Sequence, residues 1–503
     1  MLDEKYDYKE TKQNRGSGIL MHISSLPGPY GIGTLGDKAR DFADFLKAAG
    51  QKYWQLLPVG PTGYGDSPYA SFSSFAGNPY FIDLDYLVRD GLLTKEDLAP
   101  LEEGFDPEKV DYARLYNERY PILQKAFANF DIGNMGFQDF VAKKKDWLND
   151  YALFMALKNK FAGKNFYSWP DSYKYRDPIA LEEFARDHQE EIDFQKFIQY
   201  EFFKQWTDFK AYVNERNIKI IGDLPIFVAA DSLEIWTKPQ LFQMEKDLRP
   251  KYVGGCPPDY FSEDGQLWGN PVYDWEANKK EGYNFWINRI KHNLEIFDVL
   301  RLDHFRGFES YWKIPYGDEN ARRGSWELGP AMDLFNKVKE ELGELSIIAE
   351  DLGYITEEVV NFRKETGFPS MKVLQFAFNP DASSDYLPHN LVDNSVIYTG
   401  THDNDTIKGW AANAREDELN FARKYFNIDE EEGFNHGLIR GAMTSVSFMA
   451  IFQMQDFLDL GNEARMNNPG KIGDNWTWRM KDDGINKQII DELRELTRIS
   501  GRL

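Results

Sequence analysis

Eight apolar runs of strand length alternate with helix-like segments along most of this chain, and this alternation limits the fold more than any other feature. The runs occupy residues 18–26, 53–59, 218–228, 299–307, 346–353, 371–378, 395–403 and 449–458. Alternating strands and helices are typical of α/β folds, and eight such units match a closed (β/α)₈ barrel. The sequence predicts one barrel domain over residues 1–503, with large insertions between barrel strands and no separate C-terminal β domain.

The segments between the runs predict both crossover helices and insertions. Helix-period patterns span residues 37–49, 285–297 and 330–342, and the first and last are followed directly by glycine, a common helix terminator. Two other gaps are too long for simple crossovers. We predict a mainly helical insertion at 85–215, and a loop-rich aromatic insertion at 229–298 over the barrel mouth.

Charge and cysteine content exclude several classes of protein. The net charge of −23 repels phosphate backbones and anionic lipids, which argues against nucleic-acid and membrane partners. The first residues carry charge and have no apolar core of a signal peptide, and Cys256 is the only cysteine. These features predict a cytoplasmic protein, whereas its oligomeric state stays open.

Carboxylates end several of the strand-like runs. Asp223, Asp303, Glu350 and Asp403 each follow or close an apolar segment. A single aspartate at such a place is commonly a helix cap or turn former, but four are more than caps require. Because the carboxyl ends of barrel strands converge on one mouth, we expect these four side chains to meet there.

Paired carboxylates of this kind suit cleavage of a glycosidic bond, which needs one protonated and one ionised carboxyl group. Arg301 and Asp303 lie two residues apart and so on one strand face, where the guanidinium can lower the pKa of Asp303, as a nucleophile requires. Glu350 follows an apolar run, where burial raises its pKa, as a general acid and base requires. His402 beside Asp403 is placed to hydrogen-bond sugar hydroxyls.

Eight segments together resemble the glycoside hydrolase family 77 amylomaltases, which are 4-α-glucanotransferases related to the α-amylase clan. The segments are SSLPGPYGIGTLG (24–36), GPTGYGDSPYASFSSFAGNPYFIDL (60–84), GDLPIFV (222–228), PPDYFSEDGQLWGNPVYDW (257–275), RLDHFRG (301–307), AEDLG (349–353), GTHDND (400–405) and RMNNPG (465–470). They cover most of the chain outside the helical insertion. Cys256 stands where an aliphatic residue is expected, which is a minor departure.

The resemblance implies a retaining transferase that moves α-1,4-glucan segments from a donor malto-oligosaccharide to the 4-hydroxyl of an acceptor glucan or glucose, through a covalent intermediate. It implies that Asp303 is the nucleophile, Glu350 the acid/base and Asp403 the stabiliser of the bound sugar. Asp223 is implied to be structural, behind the reacting groups. The implied substrate contacts are Arg301, His402, Ser67, Tyr69, Asp259, Tyr260, Phe261, Trp268 and Asn467. The family uses no metal or organic cofactor, and it serves maltose, glycogen or starch metabolism.

Two other functions compete with transfer. An amylase-type hydrolase uses the same three carboxylates, and the aromatic segment 252–275 favours transfer because a closed loop excludes water. A sugar-binding protein without activity is expected to lack one of the three carboxylates, and all three are present.

Two loop motifs suggest ligands that we do not expect. Gly31, Gly33 and Gly36 form the G-x-G-x-x-G pattern of dinucleotide-binding folds, but residues 26–29 separate it from the strand and no acidic residue ends the next strand. DNDTIKG, at 403–409, begins like a calcium loop but lacks its sixth-position glycine.

Overall fold

The computed structural model describes residues 15–63, 65–258, 262–379, 383–469, 471 and 473–503. Within these residues the strands are β1 (Gly16–Leu20), β2 (Tyr53–Gln55), β3 (Lys219–Leu224), β4 (Tyr252–Cys256), β5 (Gln266–Pro271), β6 (Val299–Leu302), β7 (Ser310–Pro315), β8 (Ser325–Leu328), β9 (Ile347–Ala349), β10 (Ser370–Val373), β11 (Ser395–Tyr398) and β12 (Met449–Gln453).

The α-helices of the same residues begin with α1 (Asp37–Ala48), α2 (Leu84–Arg89), α3 (Tyr112–Ala128), α4 (Met135–Lys160), α5 (Asp171–Lys174), α6 (Pro178–Asp187), α7 (Gln189–Asn214), α8 (Leu233–Thr237), α9 (Trp275–Lys280) and α10 (Asn284–Ile296). The later ones are α11 (Ala331–Leu342), α12 (Glu357–Thr366), α13 (Ile407–Asn413), α14 (Glu416–Phe426), α15 (Phe434–Met443), α16 (Met454–Phe457) and α17 (Lys487–Ile499). No helix in the described part of the chain is both long and apolar enough to span a membrane.

Eight parallel strands close into a barrel, which confirms the predicted fold class. Following the chain, β1, β2, β3, β6, β9, β10, β11 and β12 lie side by side, and β12 pairs with β1 to close the ring. Each of these eight barrel strands overlaps one of the eight apolar runs. The predicted helices are also present as α1, α10 and α11, each within one residue of the predicted bounds.

Hydrogen bonds across the ring show which strand side chains point into the barrel. The Tyr398 hydroxyl on β11 donates to the Gln55 side-chain oxygen on β2 at 2.8 Å, although two strands separate them. Arg301 on β6 reaches the Met371 sulfur on β10 at 3.4 Å across β9. These interior positions are therefore polar near the end where the carboxylates lie.

A second sheet, which the sequence analysis did not anticipate, lies beside the mouth. It is antiparallel with order β5-β4-β7-β8. The strands β4 and β5 come from residues 229–298, and β7 and β8 come from the segment between β6 and α11. Two segments far apart in the sequence thus combine into one rim.

Helices α2 to α7 fill the long gap between β2 and β3. The two long helices α4 and α7 pack along each other through aromatic side chains such as Trp147, Phe140 and Phe203. Buried glutamines of α7 bind the segment that follows β2, because Gln199 exchanges two hydrogen bonds with Gly77 and Gln205 exchanges two with Asp83. The helices thereby fix the loop that carries Ser67 and Tyr69.

The glycine pattern before α1 serves close packing. A side chain at Gly33 would lie 1.9 Å from the Ile23 carbonyl oxygen, and one at Gly36 would lie 1.9 Å from an Asp83 carboxyl oxygen. Asp83 in turn caps α2 and accepts a hydrogen bond from Thr34. These contacts explain why residues 33 and 36 are glycines, and a bound nucleotide is not needed to explain them.

Candidate active site

Arg301 joins the ends of two neighbouring strands. Asp223 on β3 is the register partner of Arg301 on β6. Arg301 Nη1 lies 2.5 Å from Asp223 Oδ2 and 3.1 Å from Asp303 Oδ1, and the Arg301 and Asp223 side chains are buried. The guanidinium is therefore held by one carboxylate and presented to the other.

Burial dominates the electrostatics of Asp303. It raises the pKa of this carboxyl to about 6, against the opposing effect of Arg301, and the nearby Asp223 and Asp403 add to the rise. The sequence analysis predicted a lowered pKa. That prediction gave the direction of the arginine's effect correctly but was wrong about the net result, because it did not include desolvation and two further carboxylates.

Glu350 lies beside Asp303, since Leu302 at the end of β6 pairs with Ala349 at the end of β9. Its Oε2 accepts a hydrogen bond from the His304 backbone N–H at 2.6 Å, and its Oε1 accepts one from Leu352 at 2.9 Å. Burial raises the pKa of Glu350 to about 8 although Arg301 lowers it, and the charge of Asp303 raises it further. Asp303 is thus expected to lose its proton before Glu350 does.

His304 turns the backbone toward Glu350. It has a left-handed conformation with φ of 49°, which is uncommon for a residue other than glycine. Its ring packs edge-on against Trp268 of β5, with ring centroids 4.8 Å apart. Burial lowers the pKa of His304 to about 3, so the imidazole is neutral. The contact between the His304 and Trp268 rings places Trp268, a predicted substrate contact, on the Glu350 side of the mouth.

Asp403 follows β11 and has side-chain donors on both oxygens. Asn467 Nδ2 donates to Oδ1 at 2.6 Å, and His402 Nε2 lies 3.3 Å from Oδ2. Burial by itself raises the pKa of Asp403, but nearby His402 and the hydrogen bonds from His402 and Asn467 outweigh it and lower the pKa to about 2. Asp403 is therefore ionised at neutral pH.

Tyr69 connects the ion pair of Asp223 and Arg301 with the pair of His402 and Asp403. Its hydroxyl donates to Asp223 Oδ2 at 2.7 Å, and its ring stacks on His402 at 5.2 Å between centroids with 16° between planes. Ser67 Oγ accepts the Tyr69 backbone N–H at 3.2 Å. The structure thus places Tyr69 and His402 in contact with each other, Tyr69 against Asp223 and His402 against Asp403.

Three predicted contacts lie outside the described residues, namely Asp259, Tyr260 and Phe261. Their proposed contacts with substrate stay predictions. In the part of the chain that the structure describes, no group of three or more His, Cys, Asp or Glu side chains is arranged to hold a metal ion. Asp405, in the calcium-like motif, is paired with Arg465 instead.

Two residues that shape the site, Asp456 and Trp476, were not predicted from the sequence. Asp456 accepts hydrogen bonds from Thr399 Oγ1 and the Ile407 N–H, both at 2.8 Å, and so holds both ends of the loop that carries His402 and Asp403. Asp456 lies in the last apolar run, in the sequence MQDFL. A carboxylate inside an apolar run is a signal that the sequence contains. Trp476 packs its ring against His402 and Tyr69, at 5.9 and 5.8 Å, and no pattern around it indicated this.

Comparisons with known proteins agree over nearly the whole chain. Residues 21–486 match the profile of glycoside hydrolase family 77, described as 4-alpha-glucanotransferase. A 4-alpha-glucanotransferase of Clostridium butyricum is 52% identical over 96% of this chain and 100% of its own length. One of Streptococcus pneumoniae is 49% identical over 98% of each chain. The structure of amylomaltase from Streptococcus agalactiae in complex with acarbose superposes with a TM-score of 0.95 at 43% identity, covering 97% of this chain and 99% of that one.

Proposed function

The chain belongs to the 4-alpha-glucanotransferases of glycoside hydrolase family 77, and from this premise we propose which of its residues perform the transfer and in what order. The family acts on α-1,4-glucans. The transferase prediction is therefore confirmed over the alternative of an amylase-type hydrolase. The roles of the individual residues form the proposal.

In the first half of the reaction, ionised Asp303 attacks the anomeric carbon of the donor glucan. Protonated Glu350 donates its proton to the glycosidic oxygen as that bond breaks, and the shorter glucan leaves. The product is a glycosyl ester on the Asp303 carboxyl group. The pKa values of about 6 and about 8 support this assignment, since only the group with the lower value is mainly ionised between them.

In the second half, the 4-hydroxyl of an acceptor glucan or glucose attacks the same carbon. Glu350, now deprotonated, takes the hydroxyl proton, and the Asp303 carboxylate is released. Formation of the ester removes the charge of Asp303, which is one of the causes that raise the pKa of Glu350. Loss of this charge lowers that pKa, so Glu350 is a better base when a base is required.

Asp403 and the surrounding donors hold the sugar at the point of cleavage. Because the pKa of Asp403 is about 2, its carboxylate stays charged through both steps. It accepts hydrogen bonds from sugar hydroxyls while positive charge develops at the anomeric carbon. Tyr69, His402 and Trp476 form an aromatic wall beside it, and aromatic faces suit the apolar face of a sugar ring.

The observation that carries this proposal is the adjacency of β6 and β9, which are followed directly by Asp303 and Glu350. Neighbouring strands lie about 4.8 Å apart, which matches the carboxyl separation of about 5–5.5 Å in retaining enzymes. We expect a crystal structure to give this separation, whereas about 9 Å would indicate inversion.

A time course with maltotriose tests the function. Free glucose and total reducing ends are assayed separately while the products are resolved by chromatography. Transfer gives glucose together with longer oligosaccharides at a constant number of reducing ends. Rising reducing ends with shorter products only would mean hydrolysis, and Asp303→Asn is the inactive control.

We also propose that the enzyme acts in the cytoplasm, on short malto-oligosaccharides derived from maltose, glycogen or starch. The sequence composition supports this location. Fractionation of cells followed by the same maltotriose assay would test it, and activity concentrated in another compartment would contradict it.

A further inference from the structure

An exposed aromatic surface lies on the small sheet beside the mouth. Trp326 of β8 is 39% exposed, and Tyr354, on the loop after β9, is 67% exposed. Their rings are nearly parallel, with centroids 6.3 Å apart and 24° between planes. Leu328, two residues along β8 on the same face as Trp326, is 75% exposed. We call Trp326 and Tyr354 together the aromatic platform.

Arg306 holds the platform from below. Its guanidinium carbon lies 3.9 Å from the centroid of the Trp326 ring and 5.9 Å from that of Tyr354. It also donates to the Tyr354 carbonyl oxygen and to Ser310 Oγ, the latter at 2.9 Å. Arg306 itself is buried. The two rings are therefore fixed in advance, which reduces the entropy lost when a ligand binds them.

The platform lies on the Glu350 side of the mouth. Tyr354 is four residues after Glu350, so their Cα atoms are at most about 14 Å apart. Arg306 is three residues after Asp303. A general acid must contact the glycosidic oxygen, and the sugar units beyond that oxygen belong to the leaving or accepting glucan. The Asp403 cluster, in contrast, is built on β11 and the loop before α17.

We propose that the aromatic platform binds the acceptor α-glucan two or more sugar units beyond the point of cleavage. This inference rests on the transferase function. Rigid aromatic faces bind the apolar faces of sugar rings, and the exposed ring edges leave the sugar hydroxyls in water. Acceptors long enough to reach Trp326 and Tyr354 gain affinity, whereas glucose does not reach them.

A second copy of this chain is the competing occupant, because β8 is an edge strand of its sheet and edge strands can pair between molecules. The acceptor glucan is favoured by the continuity of the platform with the catalytic loops. Arg306 and Tyr354 lie on the loops after β6 and β9, and each of these loops begins with a proposed catalytic carboxylate.

The test compares acceptors of different length at a fixed maltotriose concentration. Labelled glucose, maltotriose and maltopentaose serve as acceptors for wild type and for Trp326→Ala, Trp326→Phe and Tyr354→Ala. Tyr175→Ala, which removes a tyrosine 49% exposed at the end of α5, is the matched control. Light scattering on each protein gives its molecular mass.

We expect Trp326→Ala to raise the acceptor KM for maltopentaose roughly threefold to tenfold. The KM for glucose and the kcat should stay within about twofold of wild type, and Trp326→Phe should restore the maltopentaose KM because it retains a flat ring. An equal change for glucose and maltopentaose, or no change beyond that of Tyr175→Ala, would overturn the proposal. So would a fall from dimer to monomer mass with an unchanged KM. If wild type transferred nothing to any of the three acceptors, the transferase function itself would fail instead.

Discussion

The two sides of the barrel mouth shift the pKa values of their carboxyl groups in opposite directions. Asp403 and Glu350 both follow barrel strands and both lie close to Arg301. Asp403 has Asn467 and His402 as side-chain donors, and its pKa falls to about 2. Glu350 accepts hydrogen bonds from two backbone N–H groups, of His304 and Leu352, and burial with the neighbouring Asp303 raises its pKa to about 8. The surroundings of each carboxylate thus determine its chemical role.

This difference explains how one mouth holds a permanent anion and a proton donor. Side-chain donors that bind the charged form stabilise the ionised state, whereas burial beside another carboxylate favours the neutral state.

The largest effect is expected for Asp303→Asn, which removes the nucleophile between the two sides. We expect kcat on maltotriose to fall by roughly 10⁴-fold or more, because an amide cannot form the ester intermediate. Binding of maltotriose, measured by calorimetry, should change little. Retention of more than a few per cent of wild-type turnover would assign the nucleophile to another residue.

Replacement of Asp403 should lower kcat less than replacement of Asp303 does. For Asp403→Asn we expect kcat to fall roughly 10²-fold to 10³-fold, comparable to the loss of one group that stabilises a transition state. The covalent intermediate still forms and can be sought by mass spectrometry of the protein after rapid quenching. Asp405→Asn, two residues further along the chain, is a neighbouring control that we expect to keep a higher kcat than Asp403→Asn.

The pH profile reports both members of the Asp303–Glu350 pair. Since Asp303 must be ionised and Glu350 protonated, kcat/KM should rise with pH through about 6 and fall through about 8. About one unit outside these values, the rate should be roughly tenfold below the maximum. Asp403 should give no limb above pH 4, because its pKa is about 2. A profile flat from pH 5 to 9 would contradict the assignment.

Asn467→Ala tests the donors that distinguish Asp403 from Glu350. Removing the 2.6 Å hydrogen bond to Oδ1 should reduce kcat/KM roughly tenfold, the effect of losing one hydrogen bond to a charged group. The same variant should raise the pKa of Asp403 and so reduce activity further at acidic pH. Asn117→Ala, an exposed change on α3, is the control.

The smallest effects concern stability, and their signs should differ between the two sides. The folded-state pKa of Glu350, about 8, exceeds the unfolded value of about 4.3, so its contribution to stability is lost as pH rises through this range. Glu350→Gln should therefore raise the thermal midpoint relative to wild type at pH 8.

The pKa of Asp403 is lowered, so its contribution is present above about pH 4 and is lost as pH falls through about 2. Asp403→Asn should therefore lower the midpoint at pH 8. Calorimetry at one scan rate compares the two variants. Changes of the same sign in both would contradict the contrast between the two sides.

Much of the fold was predictable because its signals are local. Each of the eight barrel strands overlaps a mainly apolar run, since parallel strands covered by helices are buried on both faces. The helices α1 and α11 end next to glycines that a sequence shows directly. The antiparallel sheet was not predictable, because β4 pairs with β7, which follows the barrel strand β6 in the sequence, and single strands of this length carry weak signals.

The sequence by itself determined the barrel and the set of carboxylates at its mouth, because periodicity and strand ends are properties of neighbouring residues. Only the tertiary structure decided the net pKa of each carboxylate, and it raises the pKa of Asp303 where the sequence predicted a lowered one. Burial of Asp303, the donation of Asn467 to Asp403, and the turn at His304 toward Glu350 each join residues from different strands or loops. A pKa depends on the distance and desolvation of such partners, and the order of residues along the chain does not contain these quantities.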